Sequence, residues 1–346
     1  MKKLTAILLS FLIILPFSGC TEKKTRYTAQ FLVLFDTMSE IVAYMNSKEE
    51  FEAFSQLVYD NLEEYHQLYN IYDDFPNINN IKTINDNAGK QPVKVDKRII
   101  DLLKLAKEQE KATNGTFNVA LGAVLRIWHE YRDEGLADPD NAQLPPMEKL
   151  QEAMKHTNID DVILDEEAST VYLADPEMSL DVGSVAKGYA TERVAQLAEE
   201  AGYNSALLSI GGNVRAIGNK GTDDEPWSVG IQNPDKESAE TSLMTVQLKE
   251  KSLVTSGIYE RYYTVDGKNY HHIIDPATLM PSAYFQAVSI ITTNSGMADV
   301  LTTALFNMSY EQGLAYINNL PDTEAVWVMP GGDLRYSAGF KNYIKS

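Results

Sequence analysis

Residues 178–194 read MSLDVGSVAKGYATERV, from Met178 to Val194. A short apolar run ends at the Asp181 carboxylate, Gly183 turns the chain, and a helical pattern opens at Ser184 and runs to about Gly202. A helix that opens directly from a strand presents its first N–H groups to whatever sits in the turn, and Lys187 adds a positive charge beside them. Such a turn can hold a phosphate. It has neither the GxxxxGK(S/T) nor the GxGxxG spacing of the common nucleotide loops. The other reading is that Gly183 and Gly188 permit helix packing while Asp181 caps, and composition alone favours that one.

Outward from this turn the pattern is β-rich. Upstream, DVILD and STVYLAD read as a hairpin around Glu166-Glu167. Downstream come ALLSI, VRAIG, WSVGIQ, LMTVQL and YYTVDGKNYHHII, the last with an Asp266-Gly267 hairpin turn. Helices from about Ser295 to Met308 and from Tyr310 to Leu320, then the strands AVWVM and LRYSAGF, complete the chain. Toward the N-terminus, QFLVLFDTMSEIVAYM alternates as one strand, and Ser47 with Glu50 forms a capping box. The helix that follows buries Phe51, Phe54, Val58, Leu62, Tyr65 and Tyr69. A second starts at Asp96, carries Ile99, Leu102, Leu103 and Ala106 inward, and stops at Asn114-Gly115. Asp133 to Pro146 is the most loop-like stretch. Strand runs adjoin one another instead of alternating with helices, which predicts an α+β fold with largely antiparallel sheets flanked by helices.

The chain has 346 residues, 44% apolar and 10% aromatic, enough for a sizeable core. With 30 Lys+Arg against 49 Asp+Glu it carries a formal charge of −19 and no basic block, so nucleic acid is excluded as a partner. One cysteine makes no intrachain disulfide, and no Cys/His cluster has structural-zinc spacing. That cysteine, Cys20, closes the one long apolar run: Lys2-Lys3, LTAILLSFLIILPF, then Ser18-Gly19-Cys20. The run resembles a bacterial lipoprotein signal, with Phe17 where that pattern usually has Leu. The expected organisation is a signal peptide over 1–19, a lipid-anchored tether over 20–30 attached through acylated (palmitate-type) Cys20, and one catalytic domain over 31–346. Such a chain sits on the extracytoplasmic face of the cell membrane. Loss of Lys2 and Lys3 takes the charge from −19 to −21.

Three further constellations could carry chemistry. In Gly296-Met297-Ala298-Asp299-Val300-Leu301-Thr302-Thr303-Ala304, Asp299 and Thr303 lie four apart and share a helix face. A carboxylate and a hydroxyl side by side suit Mg²⁺, which takes its other ligands from water and phosphate. The alternative is an ordinary polar face with Thr303 bonded back to the Asp299 carbonyl. His271-His272-Ile273-Ile274-Asp275-Pro276 ends a hairpin not far from Arg261, and imidazole is the usual group for taking a proton from a hydroxyl near neutral pH. A strand pair of this kind also reads as one exposed and one hydrogen-bonded histidine. Gly115-Thr116-Phe117-Asn118-Val119, Tyr72 and Gly211-Gly212-Asn213 could hold a flat ring system, or form core edge and turns. His66, His129 and His156 read as structural residues without partners.

Taken in order, GTFNV (115–119), MSLDVGSVAKGYATERV (178–194), SIGGNVRAIG (209–218), SGIYERYY (256–263), HHIIDPAT (271–278) and MADVLTTALF (297–306) resemble the FAD:protein FMN transferase (ApbE) family. The resemblance spans about Phe31 to Tyr343, and its joint order reverses the odds attached to each motif alone. It implies an ApbE-like, T-fold-related architecture. It also implies an enzyme that binds FAD with Mg²⁺ and attaches FMN through a phosphoester to a threonine or serine of an exported flavoprotein, releasing AMP. By the same resemblance Asp299, Thr303 and the Ser184 carbonyl hold the metal. FAD contacts fall to Phe35, Tyr72, Thr116, Phe117, Asn118, Asp181, Lys187 and Ile274, and proton transfer to His272. Three departures stand out. Phe35-Asp36-Thr37 replaces a Met-Gly-Thr, Asn118 replaces a common Asp, and Leu279 stands where a glycine turn is usual, which predicts a changed backbone there. The rival readings are a Mg²⁺-dependent FAD pyrophosphatase and a non-catalytic FAD-binding lipoprotein.

Overall fold

The computed structural model describes residues 24–31, 34–35, 37–223 and 225–345; Cys20, the signal segment and Asp36 lie outside them. Strand alternation builds the centre. In Ser39–Met45, Ile41, Ala43 and Met45 point to one core while Val42 joins another on the opposite face. Val254 and Leu253, Ile290 and Ile291, and Trp327 and Val326 divide in the same way. These strands belong to one antiparallel sheet of eight, in the order Thr25–Phe31, Ser39–Met45, Ser205–Ile210, Asn213–Gly218, Ser252–Gly257, Ala287–Thr292, Glu324–Val328, Leu334–Tyr336.

Helices Lys48–Tyr69, Ala186–Glu200 and Ser295–Phe306 cover one face through the larger core. The hairpin Trp227–Gln232/Ser242–Leu248 covers the other with Trp227, Val229, Ile231, Val246 and Leu248. A third cluster packs helices Gly122–Ala137 and Met147–Met154 on the hairpin Tyr262–Val265/Lys268–His271, around Val124, Trp128, Leu150 and Tyr263. The α+β class with antiparallel sheets and flanking helices is the architecture found.

Three local expectations change. The stretch placed in the tether includes all but the last residue of Thr25–Phe31, the edge strand paired with Ser39–Met45. Its Tyr27, Ala29 and Phe31 are half-buried between exposed polar residues, so composition disguises it as a spacer. What read as one strand over 30–45 is therefore parts of two, with Phe35 in the connection at φ 55°. The expected capping box is half made: Ser47 Oγ accepts from the Glu50 N–H, but Glu50 Oε2 accepts from Asn46 instead of Ser47. Asp133 to Ala137, expected in a loop, forms the last turns of the Gly122–Ala137 helix.

Leu279 does not change the backbone of its turn. It takes φ 60°, the left-handed conformation that favours glycine, with its N–H on the Asp275 carbonyl. Its side chain is buried in the third cluster, and its carbonyl accepts from Trp128 Nε1 at 3.0 Å. A non-glycine residue at such a φ costs roughly 1–2 kcal/mol, and burial of a leucine side chain offsets it. Leu279→Ala keeps the strained φ and loses the packing, so it should destabilise the fold by about 2–4 kcal/mol. Leu279→Gly should cost about 1 kcal/mol less than Leu279→Ala. Denaturant unfolding of both variants checks the order; a glycine variant more stable than the parent would refute the packing account.

Candidate functional site

The site is organised by two helices in close contact. At Gly188 an added Cβ would stand 2.4 Å from the Ser295 carbonyl oxygen and 2.5 Å from Asp299 Cβ. This approach brings the Gly188 N–H to Asp299 Oδ2 at 2.8 Å. In a continuous helix that N–H would serve the carbonyl four residues back, at Ser184. Diverted to Asp299, it leaves the Ser184 carbonyl with no hydrogen bond among the described residues. Asp299 itself is buried, and burial pushes its carboxyl up, against the pull of the Lys187 charge and the Gly188 N–H.

Thr302 settles which threonine is spent. Its Oγ1 donates to the Asp299 carbonyl at 2.8 Å and accepts from Ser256 Oγ at 2.9 Å, tying the helix to the sheet. The back-bond that the sequence suggested for Thr303 is made by Thr302. The hydroxyl of Thr303, one turn from Asp299, makes no hydrogen bond among the described residues. The Ser184 carbonyl, the Asp299 carboxylate and the Thr303 hydroxyl are thus three hard oxygens with capacity to spare. They suit a hard divalent cation such as Mg²⁺. No group of three or more His, Cys, Asp or Glu converges as a metal cage among the described residues. A cation here would need water or an anionic ligand to complete its shell.

The two adjacent histidines, one ending the Lys268–His271 strand and one just past it, differ in what they meet. His271 is satisfied at both nitrogens, with Nε2 on the Ser282 carbonyl at 2.8 Å and Nδ1 accepting from the Ile273 N–H at 3.2 Å. His272 keeps more capacity. Its Nδ1 lies 3.2 Å from the Arg261 carbonyl, which can only accept, so Nδ1 carries the proton and Nε2 is left with its lone pair. Burial pushes the His272 imidazole down to about 3, against that carbonyl contact; the nearby positive charges of Arg261 and Lys187 also depress it. It is neutral near pH 7.

Asp181 closes the opposite side. Its Oδ1 accepts from Gly183 N at 2.9 Å, and its backbone N–H bonds the Val119 carbonyl at 2.8 Å, drawing the 115–119 loop alongside. Asp181 Oδ2 faces His129 Nε2 at 4.0 Å, and His129 Nδ1 lies 3.4 Å from the hydroxyl of exposed Tyr72. His129, Arg132, Trp128, Tyr270, His271 and His272 line one crevice between the Gly122–Ala137 helix and the Tyr262–His271 hairpin. The reading of His129 as a residue without partners is therefore corrected. His66 and His156 have partners too: His66 Nδ1 accepts the Phe35 N–H, and His156 Nδ1 lies 2.7 Å from Asp175 Oδ2. A helical period alone does not reveal contacts made across the fold.

The remaining expected residues fall into three groups. Lys187 is partly exposed, with Nζ 3.4 Å from the Gly183 carbonyl, and is free to meet an anion. Phe117 and Ile274 bury their side chains in the core, so they can offer a ligand only backbone. Thr116 Oγ1 is spent on the Thr113 carbonyl, and Asn118 on Ala120 N and the Thr157 carbonyl. Sequence reading missed Asn307, the C-cap of the Ser295–Phe306 helix, whose Nδ2 donates to the carbonyls of both Thr116 and Ile274. That one amide joins two loops to the helix that carries Asp299.

The sequence profile of the ApbE family matches residues 35–327. A Klebsiella pneumoniae (strain 342) protein named FAD:protein FMN transferase is 32% identical over 277 residues, 79% of this chain and 83% of its own. One of that name from Treponema pallidum (strain Nichols) is 34% identical over 278 residues, 77% of this chain and 75% of its own. The crystal structure of the ApbE protein of Thermotoga maritima is similar at a TM-score of 0.81 and 29% identity, covering 93% of this chain and 100% of that one. The flavin transferase ApbE of Vibrio cholerae shares the fold at a TM-score of 0.75 and 22% identity, covering 92% and 100%.

The contact at Gly188 allows a direct test. Gly188→Ala places a methyl against backbone and against the Asp299 side chain, and should destabilise the protein by about 1–3 kcal/mol. Thermal and denaturant unfolding measure it. A variant as stable as the parent would mean that the helices are not so closely apposed.

Proposed function

The chain belongs to the ApbE family, and on that premise we propose that it is a Mg²⁺-dependent FAD:protein FMN transferase. The observation that carries this reading is the contact at Gly188, which diverts its N–H to the Asp299 carboxylate and leaves the Ser184 carbonyl unbonded among the described residues, with Thr303 one helical turn from Asp299. The positive charge of Lys187 is felt by both the Asp299 carboxylate and the His272 imidazole. When bound, Mg²⁺ would neutralise pyrophosphate charge and favour in-line displacement. Ser184 through its carbonyl, Asp299 and Thr303 would hold it. The sign of the protein's own charge supports the need for such a cation: −21 on the chain without Lys2 and Lys3 opposes a dianionic pyrophosphate.

Lys187 meets the phosphates through its ammonium, and Tyr72, Asp181 and the 116–118 loop bound the space for the rest of FAD. His272 presents Nε2 as the acceptor for the proton of the incoming threonine or serine hydroxyl. The hydroxyl oxygen forms a bond to the FMN phosphorus, the bond from that phosphorus to the AMP oxygen breaks, and AMP leaves. Negative charge arriving with substrate raises the affinity of a neutral imidazole for that proton. The acceptor is an exported flavoprotein with a Thr-containing motif. The signal-like run before Cys20 supports lipid anchoring at the extracytoplasmic face of the membrane. No helix among the described residues is long and apolar enough to cross a membrane.

Incubation with FAD, Mg²⁺ and a candidate acceptor should leave flavin fluorescence on the acceptor after denaturation, with AMP released in equal amount. Free FMN and AMP with no labelled acceptor would instead assign an FAD pyrophosphatase, and intact FAD a binding protein. Asp299→Ala should abolish turnover and its Mg²⁺ dependence. His272→Ala should lower kcat by about 10²–10⁴-fold while FAD affinity changes little. An affinity loss without a kcat effect would make His272 a ligand contact instead of a proton acceptor.

A further inference from the structure

The two site helices cap each other. A helix leaves its first N–H groups without intrahelical partners, and a carboxylate placed there is favourable for hydrogen bonding and for the helix dipole. In the Ala186–Glu200 helix the third residue, Gly188, gives its N–H to Asp299 of the Ser295–Phe306 helix. In the Ser295–Phe306 helix the first residue, Ser295, gives its N–H to Glu192 Oε2 of the Ala186–Glu200 helix at 2.8 Å. Each carboxylate stands four residues after the N–H that its own helix donates. The pair forms a reciprocal clasp across the contact at Gly188.

The carboxylates differ in what else they touch. Asp299 faces the site. Glu192 faces away from it and is held in a buried network: Arg215 Nε lies 3.2 Å from Oε2, and Gln196 Nε2 donates to Oε1 at 3.1 Å. Arg215 in turn reaches Glu199 Oε1 at 3.2 Å and the Ala216 carbonyl. Glu192 and Arg215 are 4% and 6% exposed. A buried ion pair gains little stability by itself because both charges lose water, so its value lies in what it fixes. What it fixes here is the N-terminus of the helix that carries Asp299 and Thr303.

We propose that Glu192 is a positioning residue for that helix: its hydrogen bond to Ser295 keeps the helix in place when a cation draws on the Asp299 carboxylate and weakens the bond to Gly188. This rests on Asp299 being a metal ligand, as assigned above. Of the two arms of the clasp, one is available to the site and the other, backed by Arg215, is not. Neither Glu192 nor Arg215 is among the residues assigned above to hold the cation or FAD.

Two variants separate the clasp from the charge. Glu192→Ala removes the acceptor, and Glu192→Gln keeps an oxygen for the Ser295 N–H while losing the charge. On the full chain, amide hydrogen exchange without metal should show faster exchange at Ser295 to Met297 in Glu192→Ala, with protection regained in Glu192→Gln. The Mg²⁺ concentration for half-maximal AMP release should rise about tenfold or more in Glu192→Ala and return toward the parent in Glu192→Gln. Unchanged exchange and Mg²⁺ midpoint in Glu192→Ala would overturn the proposal, and so would equal defects in both variants, which would assign the effect to the ion pair. Should Glu192→Ala fail to fold, Glu192→Gln decides alone: parental protection and midpoint support the clasp, and loss of either overturns it. If the parent releases no AMP, the function proposed above fails and the exchange measurement still decides the clasp.

Discussion

The structure depends on one close approach, the contact of two helices at Gly188. Because that residue has no Cβ, its N–H reaches a carboxylate on the neighbouring helix instead of a carbonyl on its own. One hydrogen bond then does several things. It holds the Asp299 carboxylate in a buried position, it frees the Ser184 carbonyl, and it sets the two helices side by side above the sheet. The sheet completes the arrangement through Ser256 and Thr302, which fix the rotation of the Ser295–Phe306 helix so that Thr303 stays uncommitted. Burial, the missing side chain and the diverted N–H are one constraint seen from three sides.

The same logic distinguishes the neighbouring histidines. His271 ends its strand and His272 lies just beyond it; both line the same crevice, and what each meets decides its capacity. His271 finds an acceptor and a donor and has nothing left to exchange. His272 finds one backbone carbonyl and keeps one nitrogen lone pair. Low local solvation keeps it neutral, which is the state a proton acceptor needs before substrate arrives.

Much of this was legible in residue spacing. Asp299 and Thr303 at four apart, the strand-to-helix turn at Asp181, and the buried stripe of the Lys48–Tyr69 helix all follow from local periodicity. Two central strands did not emerge. Ser252–Gly257 and Ala287–Thr292 are covered on both faces, and the latter is buried at every position, so it shows no alternation to read. Glu192, Arg215, Asn307 and His129 were also invisible as a set. The contacts that join them to the site, Glu192 to Arg215 and Ser295, Asn307 to Thr116 and His129 to Asp181, span 23 to 191 residues, beyond the reach of any local pattern. Thr25–Phe31 was hidden for a different reason: a half-buried edge strand with polar alternate residues looks like a spacer.

The departures from the family pattern bear on charge and shape separately. Leu279 keeps a glycine-like backbone and adds packing against the helix that carries His129. Asn118 uses both ends of its amide, accepting from Ala120 and donating to the Thr157 carbonyl. An ionised carboxylate at that position could make the first bond but not the second, since it has no proton to give. The amide therefore ties the loop down at two points and removes a negative charge from the wall beside Asp181. In a chain as acidic as this one, both changes act in the same direction: a firmer loop and a weaker repulsion toward an anionic ligand.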